Sequence, residues 1–464
     1  MNYRFCFTTW RHIVSLLRKS PRRSMARCRS SVAEPAMIEL LEDRSLLSPI
    51  LVTNLADAGE GSLRAAVEHA NNAPGDDLIK FDRHLTGRIS LSTGQMEITE
   101  DLTIDGPGAS RITVSGNRLS RIFSVVTGVE FSIADITLAD GRSESQDNIG
   151  ITLTRGGAIL NVGGIVRLSG VWLLNNMAID NGTALVASDV VGGGAIVNSE
   201  NATLFATDCL FVGNSVSGGT RYAFGGAIAN VTDSSASIKN CTFISNVSTS
   251  GATNYGGAIG SFGNSQLTVS GCSFLSNSAL GAEAGQDSYG GAIASRPGTV
   301  DNSGSTTTIE KSLFQRNRAV GGAGRDSASG GNAGGGAIFN FESTLFVSTS
   351  LLKGNQAIGG KGTQGGDALG GAIYNKSGET NISRTKIIRN RAIGIRGGIG
   401  VGGGIYNTGT LALDRSTLRR VVANRASTSN NNIYGEWSIT ASPAKRPFWL
   451  LVGAKGFRRY MYSR

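Results

Sequence analysis

Histidine is nearly absent. Only His12, His69 and His84 occur in 464 residues, and none follows position 84. The long C-terminal stretch therefore has no imidazole to act as a general base, a proton shuttle or a zinc ligand. Proline is scarce too, at 8 residues against 65 glycines, and the glycines show no three-residue period, which excludes collagen. No apolar run is long enough to cross a membrane as a helix, and nothing after residue 150 keeps a helical period for long. Carboxylates are thin on the ground: Asp208, Asp233, Glu310, Glu342 and Asp414 come about one to a repeat. Cleaving a polysaccharide takes acids brought together on one face, and no close acidic pair recurs at equivalent positions. No catalytic residue, metal ligand or cofactor site is expected.

The formal charge of +10 suggests a nucleic-acid partner until it is located. Residues 1–48 hold nine basic and four acidic side chains, and residues 443–464 hold six basic and none acidic, which leaves the body between them at −1. A neutral body offers a phosphate backbone no footprint along its length, so no nucleic-acid partner is expected.

What the chain has in abundance is one phrase. Gly-Gly-Ala-Ile begins at Gly156, Gly193, Gly225, Gly256, Gly290, Gly335 and Gly370, with the variant Gly-Gly-Gly-Ile at Gly402. The starts are 37, 32, 31, 34, 45, 35 and 32 residues apart, and a period in this range marks stacked units that cannot bury a core singly. A second mark follows, an apolar residue three places before an Asn: Leu173/Asn176, Phe211/Asn214, Phe243/Asn246, Phe274/Asn277, Phe314/Asn317, Leu352/Asn355 and Ile387/Asn390. From first Gly to Asn the count is 20, 21, 21, 21, 27, 20 and 20, so most length variation lies after the Asn. The eighth unit breaks the rule, because Leu418 precedes Val421 and the Asn slips to Asn424.

Between the marks lies a period-two alternation, as in Ala236/Ile238, Leu267/Val269, Leu345/Val347 and Leu411/Leu413. Each repeat reads as three short strands plus one variable loop. Stacked at about 4.8 Å, such repeats form an all-β, single-stranded right-handed parallel β-helix, a solenoid of ten or eleven coils.

Four segments follow. Residues 1–49 read as a basic export leader. It ends in Leu41-Glu42-Asp43-Arg44-Ser45-Leu46-Leu47, similar to the Leu-Glu-Pro-Arg-x-Leu-Leu leader of large bacterial surface proteins with Asp43 in place of Pro. Residues 50–150 read as an N-terminal cap and first coils, with Ser62 capping a helix whose Leu63, Ala66, Val67 and Ala70 share one face. Residues 151–430 hold the repeats. Residues 431–464 form a basic tail, too short for a membrane barrel.

The pairing of Gly-Gly-Ala-Ile with Phe-x-x-Asn over 150–430 resembles the repeat of the polymorphic outer membrane protein family. That resemblance implies a surface-exposed β-helix passenger, an adhesin among the options, outside the cell or associated with an outer membrane. The family's usual membrane-embedded barrel is not expected in this chain.

Five sets of positions stand out. Asn176, Asn214, Asn246, Asn277, Asn317, Asn355 and Asn390 read as a structural ladder, each taking a left-handed corner and bonding backbone with its amide. A second series comprises Asn161, Asn198, Asn230, Asn340, Asn375 and Asn407, with Ser261 and Ser295 between. Cys209, Cys241 and Cys272 share one inward position on adjacent coils and read as buried free thiols, with no His to make a metal site. The glycine-rich stretches at Gly321–Gly334 and Gly359–Gly370 read as flexible connectors. By parity Phe339, Tyr374 and Tyr406 face outward as a stripe able to stack sugars, while Phe224, Tyr255 and Tyr289 face inward as a core stack. The expected function is a non-catalytic surface or secreted protein binding a glycan or another surface protein, with a polysaccharide lyase or hydrolase on the same scaffold as the alternative.

Overall fold

The computed structural model describes residues 49–145, 156–180, 190–219, 222–282, 285–298, 303–325 and 328–440. The chain divides into Met1–Leu46 and Leu47–Arg464. The first unit lies outside the described residues, and with it Cys6, Cys28 and most of the leader expected over 1–49.

Over its described residues the second unit is an all-β parallel solenoid. One coil shows the plan: strands Ile228–Val231, Ser235–Lys239, Thr242–Ile244, Val247–Ser250 and Asn254–Tyr255 follow in order. Stacked over successive coils they build, among the described residues, five parallel sheets, which we name C, A, B, D and E in that order, with 11, 13, 11, 9 and 7 strands. The three expected strands are C, A and B. Strands D and E fall in the stretch after the Asn that was expected to be loop, and they are too short to show a period.

Sheets A, B and C enclose the main core. Each contributes alternate residues, such as Ile228 from C, Ala236 and Ile238 from A, and Phe243 from B. At the apolar mark the rings pile directly: Phe211, Phe243, Phe274 and Phe314 stack with centroids 4.5, 4.7 and 4.6 Å apart. Sheets D and E form a side lobe joined by small residues, including Ala319, Ala333, Ala357, Ala368 and Ala392.

The corners are set by left-handed residues, and here the expectation for Asn is corrected. The residue with positive φ is the one before each Asn, as in Asn175, Gly213, Ser245, Ser276, Arg316, Gly354 and Arg389. That frees the Asn to lie buried and point along the solenoid. Asn277 Oδ1 accepts from both Asn246 N–H (3.0 Å) and Asn246 Nδ2 (2.9 Å). Its own Nδ2 donates to Phe243 O and Asn317 Oδ1, both at 3.0 Å. Every donor and acceptor of the amide is used, which is what burial of a polar group requires. The column runs from Asn176 through Asn390 and on to Asn424 and Asn432.

The eighth unit keeps the rule after all. A helical turn, Arg415–Leu418, is inserted between sheets A and B, and Val421 takes the position of Ile387 three places before Asn424. Beyond it, Ile433–Tyr434 and Ser438–Ile439 still pair with the coil below. The second Asn series also forms a column, with Nδ2-to-Oδ1 bonds of 2.7–2.8 Å joining Asn161 to Asn198, Asn198 to Asn230, Asn340 to Asn375 and Asn375 to Asn407. Asn161 Oδ1 and Asn340 Oδ1, the first in each run, are left without a donor.

The cysteine position needs more than smallness. Cys241 Sγ accepts from Cys209 N–H and Cys272 Sγ from Cys241 N–H, and Ser312, Ser350 and Thr385 continue the pattern with hydroxyls. Hydrogen bonding to Cys209 and Cys272, together with burial, pushes the Cys241 thiol up and keeps it protonated. The three thiols are buried and free.

The glycine-rich stretches are packed rather than flexible. Gly331 N–H donates to Gly322 O, Gly360 N–H to Gly331 O and Gly366 N–H to Gly360 O at 2.8–2.9 Å. A Cβ on Gly366 would overlap Gly331 O, so the layer closes only with glycine.

At the N-terminus helix α1, Leu63–Asn71, buries Leu63, Ala66, Val67 and Ala70 over the first coil, capped by Ser62. Arg64 fastens it, bonding Asp57 at 2.9 Å and the carbonyls of Gly94 and Gln95. Burial works against ionisation of Asp57. Bonds from Ser92 N–H, Arg64 and the Thr93 and Ser92 hydroxyls nevertheless hold its carboxyl well below the usual carboxylate range.

Two outcomes follow. Asn277→Ala leaves Asn246 N–H and one Nδ2 hydrogen without an acceptor and Phe243 O without the Asn277 amide donor, and should lower unfolding free energy by about 2–4 kcal/mol in urea titration. Because the Asp57 carboxyl is depressed in the fold, its contribution is complete above an unfolded value of about 4 and fades as the pH falls below it. Asp57→Asn should therefore lower the thermal midpoint at neutral pH and make it less sensitive to acid between about pH 4 and pH 2.

Candidate functional site

The aromatic residues singled out from the sequence do lie together, but not as an open stripe. Phe339 is 2% and Tyr374 7% exposed, and Tyr406 is half-buried. Sheet E covers them, so the parity that turned them away from the main core brought them under a second layer. Phe224, Tyr255 and Tyr289, expected in the core, belong to the same layer from the other side: they are residues of sheet E lying on the outer face of sheet C.

Together they form one ladder that changes strands midway. Phe224, Tyr255 and Tyr289 stack from sheet E at 4.7 and 5.8 Å. Tyr289 then meets Phe339 of sheet C at 4.6 Å, and Tyr374, Tyr406 and Tyr434 continue at 5.2, 5.1 and 4.5 Å. Size complementarity permits the switch. Sheet C carries Ala229, Gly260 and Ala294 under the first three rings, while sheet E carries Gly334 over Tyr374. Burial pushes the Tyr374 hydroxyl up to about 12. Burial also raises Tyr289, whose hydroxyl donates to Asp287 at 2.9 Å. These phenols are neutral structural groups.

An open polar face lies elsewhere, on the outside of sheet A. Its outward residues are mostly Ser and Thr, among them Ser235, Ser237, Thr268, Thr306, Thr308 and Thr344. Two large rings interrupt them, Phe205 at 36% and Phe346 at 41% exposure. Arg167 covers Phe205, its guanidinium 4.4 Å from the ring centroid. Phe346 is in register with Thr308 on one side and Asn381 on the other.

Beside Phe346, at the corner between sheets C and A, lies a groove of about 420 Å³ lined by Gly304, Glu342, Ser343, Thr344, Ser377, Gly378 and Glu379. The backbone shapes it. Glu342 and Ser377 take left-handed φ of 43° and 53°. Gly378 sits so close to Asn340 Nδ2 that a side chain would collide, and its carbonyl accepts from Asn375 Nδ2 at 2.8 Å. The floor of the groove is thus tied to the second Asn column. Asn381 Nδ2 donates to Glu379 Oε1 at 2.8 Å, which aims that carboxylate along the strand.

The groove gathers two carboxylates, Glu342 and Glu379, and the hydroxyls of Ser343, Thr344 and Ser377, and farther along the same strands sheet A carries the Asn381 amide and the uncovered Phe346 ring. A sugar face can stack on such a ring while its hydroxyls exchange bonds with the carboxylates and threonines. Of the acids noted from the sequence only Glu342 belongs here. Glu310 bonds Ser270 at 2.7 Å, and Asp414 caps the inserted helical turn. Phe346 was legible from parity, since it stands between Leu345 and Val347, both of which face inward. Among the described residues no three His, Cys, Asp or Glu side chains gather as metal ligands.

Because Tyr374 is covered and Tyr406 only half so, Tyr374→Ala should cost about 3 kcal/mol in unfolding free energy and Tyr406→Ala clearly less, as measured by urea titration.

No family model matches the chain, and no curated protein does. Among solved structures, the catalytic unit of a thermostable α-1,3-glucanase from Streptomyces thermodiastaticus is similar at 13% identity and a TM-score of 0.26, over 85% of this chain and 70% of that one. Likeness at that level carries no argument about activity.

Proposed function

We propose that this protein is a non-catalytic β-solenoid, displayed at or secreted from a bacterial surface, that binds polysaccharide and serves as an adhesin-like passenger. The observation that carries the reading is Phe346: a large ring left open on a rigid sheet, flanked by Thr308 and Asn381 and adjoining the Glu342–Glu379 groove. Rigidity favours recognition, because the strands that hold these groups lose little freedom when a ligand docks. The resemblance to polymorphic outer membrane protein repeats and the leader motif near Leu41–Leu47 support surface display.

A second reading rests on one specific feature. Glu342 and Glu379 share a groove, and paired carboxylates are the machinery of glycoside hydrolysis. Both are exposed at a corner, where water is not excluded, and this favours binding over cleavage.

A glycan array followed by reducing-end assays on the bound polymers separates the two. Binding without product, weakened at least about tenfold by Phe346→Ala with an unchanged thermal midpoint, is the outcome expected of the first reading. Product formation abolished by Glu342→Gln or Glu379→Gln would replace it with the second.

A further inference from the structure

The near-zero charge of the body hides a local asymmetry. Sheet B, the Asn corner and sheet D form one continuous flank of the solenoid. In three earlier coils that flank comprises residues 209–217, 241–250 and 272–281, which contain no Lys, Arg, Asp or Glu. In the later coils the same stretch comprises residues 312–321, 350–358, 385–393 and 417–426, which contain nine Lys or Arg and no carboxylate.

Parallel pairing lines these cations up along the axis. Arg391 and Arg425 are direct neighbours in sheet D, and Arg318 stands two rungs earlier in the same column. Lys386 likewise precedes Ile387, the residue paired with Val421, and so lies beside Arg420. Arg318, Arg389, Arg391 and Arg425 are all exposed. No carboxylate among the described residues pairs with any of them.

Two features of this flank oppose stability. Like charges directly opposite on neighbouring strands repel. In addition, Arg316, Arg384 and Arg389 hold left-handed φ of 58°, 48° and 56°, a conformation that glycine takes freely and a long side chain does not. Other coils place glycine at the same corners: Gly213 and Gly354 match Arg316 and Arg389, and Gly170 and Gly271 match Arg384. A Cβ at Gly354 meets nothing, so a side chain at that corner fills no space in the fold. Asp414 stands beside Arg384 and accepts its backbone N–H, whereas Arg318, Arg389, Arg391 and Arg425 are aligned and exposed with no such neighbour among the described residues.

We propose that this flank binds an acidic polysaccharide laid along the solenoid axis, its carboxylate or sulfate groups held by the arginine columns. The choice of polysaccharide among polyanions rests on the function proposed above. The chemistry on the flank agrees with it. Seven of the nine cations are arginine, whose planar fork pairs two-fold with carboxylate and sulfate. Single-stranded nucleic acid is held by exposed rings on which bases stack, and in the later coils the ring on this flank, Phe314, is fully buried.

The test uses the full-length chain, so that its basic ends are the same in every arm. Polygalacturonate, a sulfated glycan, a neutral glucan and a DNA oligonucleotide are titrated at low and moderate salt. Binding of the acidic glycans, weakening with salt and falling at least about tenfold in Arg389→Gln/Arg391→Gln/Arg425→Gln, is expected. A second variant, Arg316→Gly/Arg389→Gly, should bind acidic glycan more weakly yet unfold at a higher urea concentration. If it unfolds earlier, the arginines are structural and the proposal falls. Equal or tighter binding of DNA than of acidic glycan overturns it in favour of a nucleic-acid surface. Binding of neutral glucan alone, sensitive to Phe346→Ala, overturns it while leaving the proposed function standing. Binding of none of the four removes both.

Discussion

The buried asparagine column is the constraint on which the rest depends. Where the chain leaves sheet B to enter sheet D, the backbone turns a corner and its amide and carbonyl groups lose their strand partners. Unpaired in a dry interior, each would cost about 1–3 kcal/mol. One amide per coil supplies the missing partners, accepting the N–H of the coil below and donating to the carbonyl of its apolar residue. That geometry works only when the Asn lies three residues beyond the apolar mark, with one left-handed residue between the strand and the Asn. The constant three-residue distance from apolar mark to Asn is the imprint of this requirement on the chain.

Everything outside the rung is freer, and the protein uses that freedom. Sheets D and E are short, and their lobe is closed by alanines and by a layer of glycine backbone. The aromatic ladder passes from sheet E to sheet C where Gly334 makes room for Tyr374, so continuity of the stack matters more than which strand supplies the ring. Two outer surfaces differ in kind. Sheet A offers hydroxyls, an open ring and a carboxylate groove, while the flank of the later coils offers cations alone. On the readings proposed above, a solenoid with chemically distinct sides would hold two kinds of glycan, or two regions of one, without any movement of its own.

The strands of sheets A, B and C, the cap helix and both Asn columns were legible because their periods are long and repeated. Leu267/Val269 and Phe274/Asn277 declare themselves, since burial on one face imposes alternation. The misread features are those set by contacts between layers. Nothing near Tyr374 announces that a two-residue strand will cover it, and Asn254–Tyr255 is too brief to carry a pattern. The eighth unit looked irregular because a helical turn at Arg415–Leu418 displaced Val421 along the chain and left it in register in space. Summing charge over the whole body concealed the cationic flank, since Glu310, Glu342 and Glu379 offset in sequence what they do not face in three dimensions. Phe346 was within reach of the same parity that was applied to Phe339, and only attention to sheet A was missing.

Amide hydrogen exchange at the ladder residues tests the central claim most directly. The backbone N–H groups of Asn214, Asn246, Asn277, Asn317, Asn355 and Asn390 should belong to the slowest-exchanging set and open together with the strands of sheet B. Exchange of these amides at the rates of exposed loop residues, while sheet B stays protected, would contradict the account.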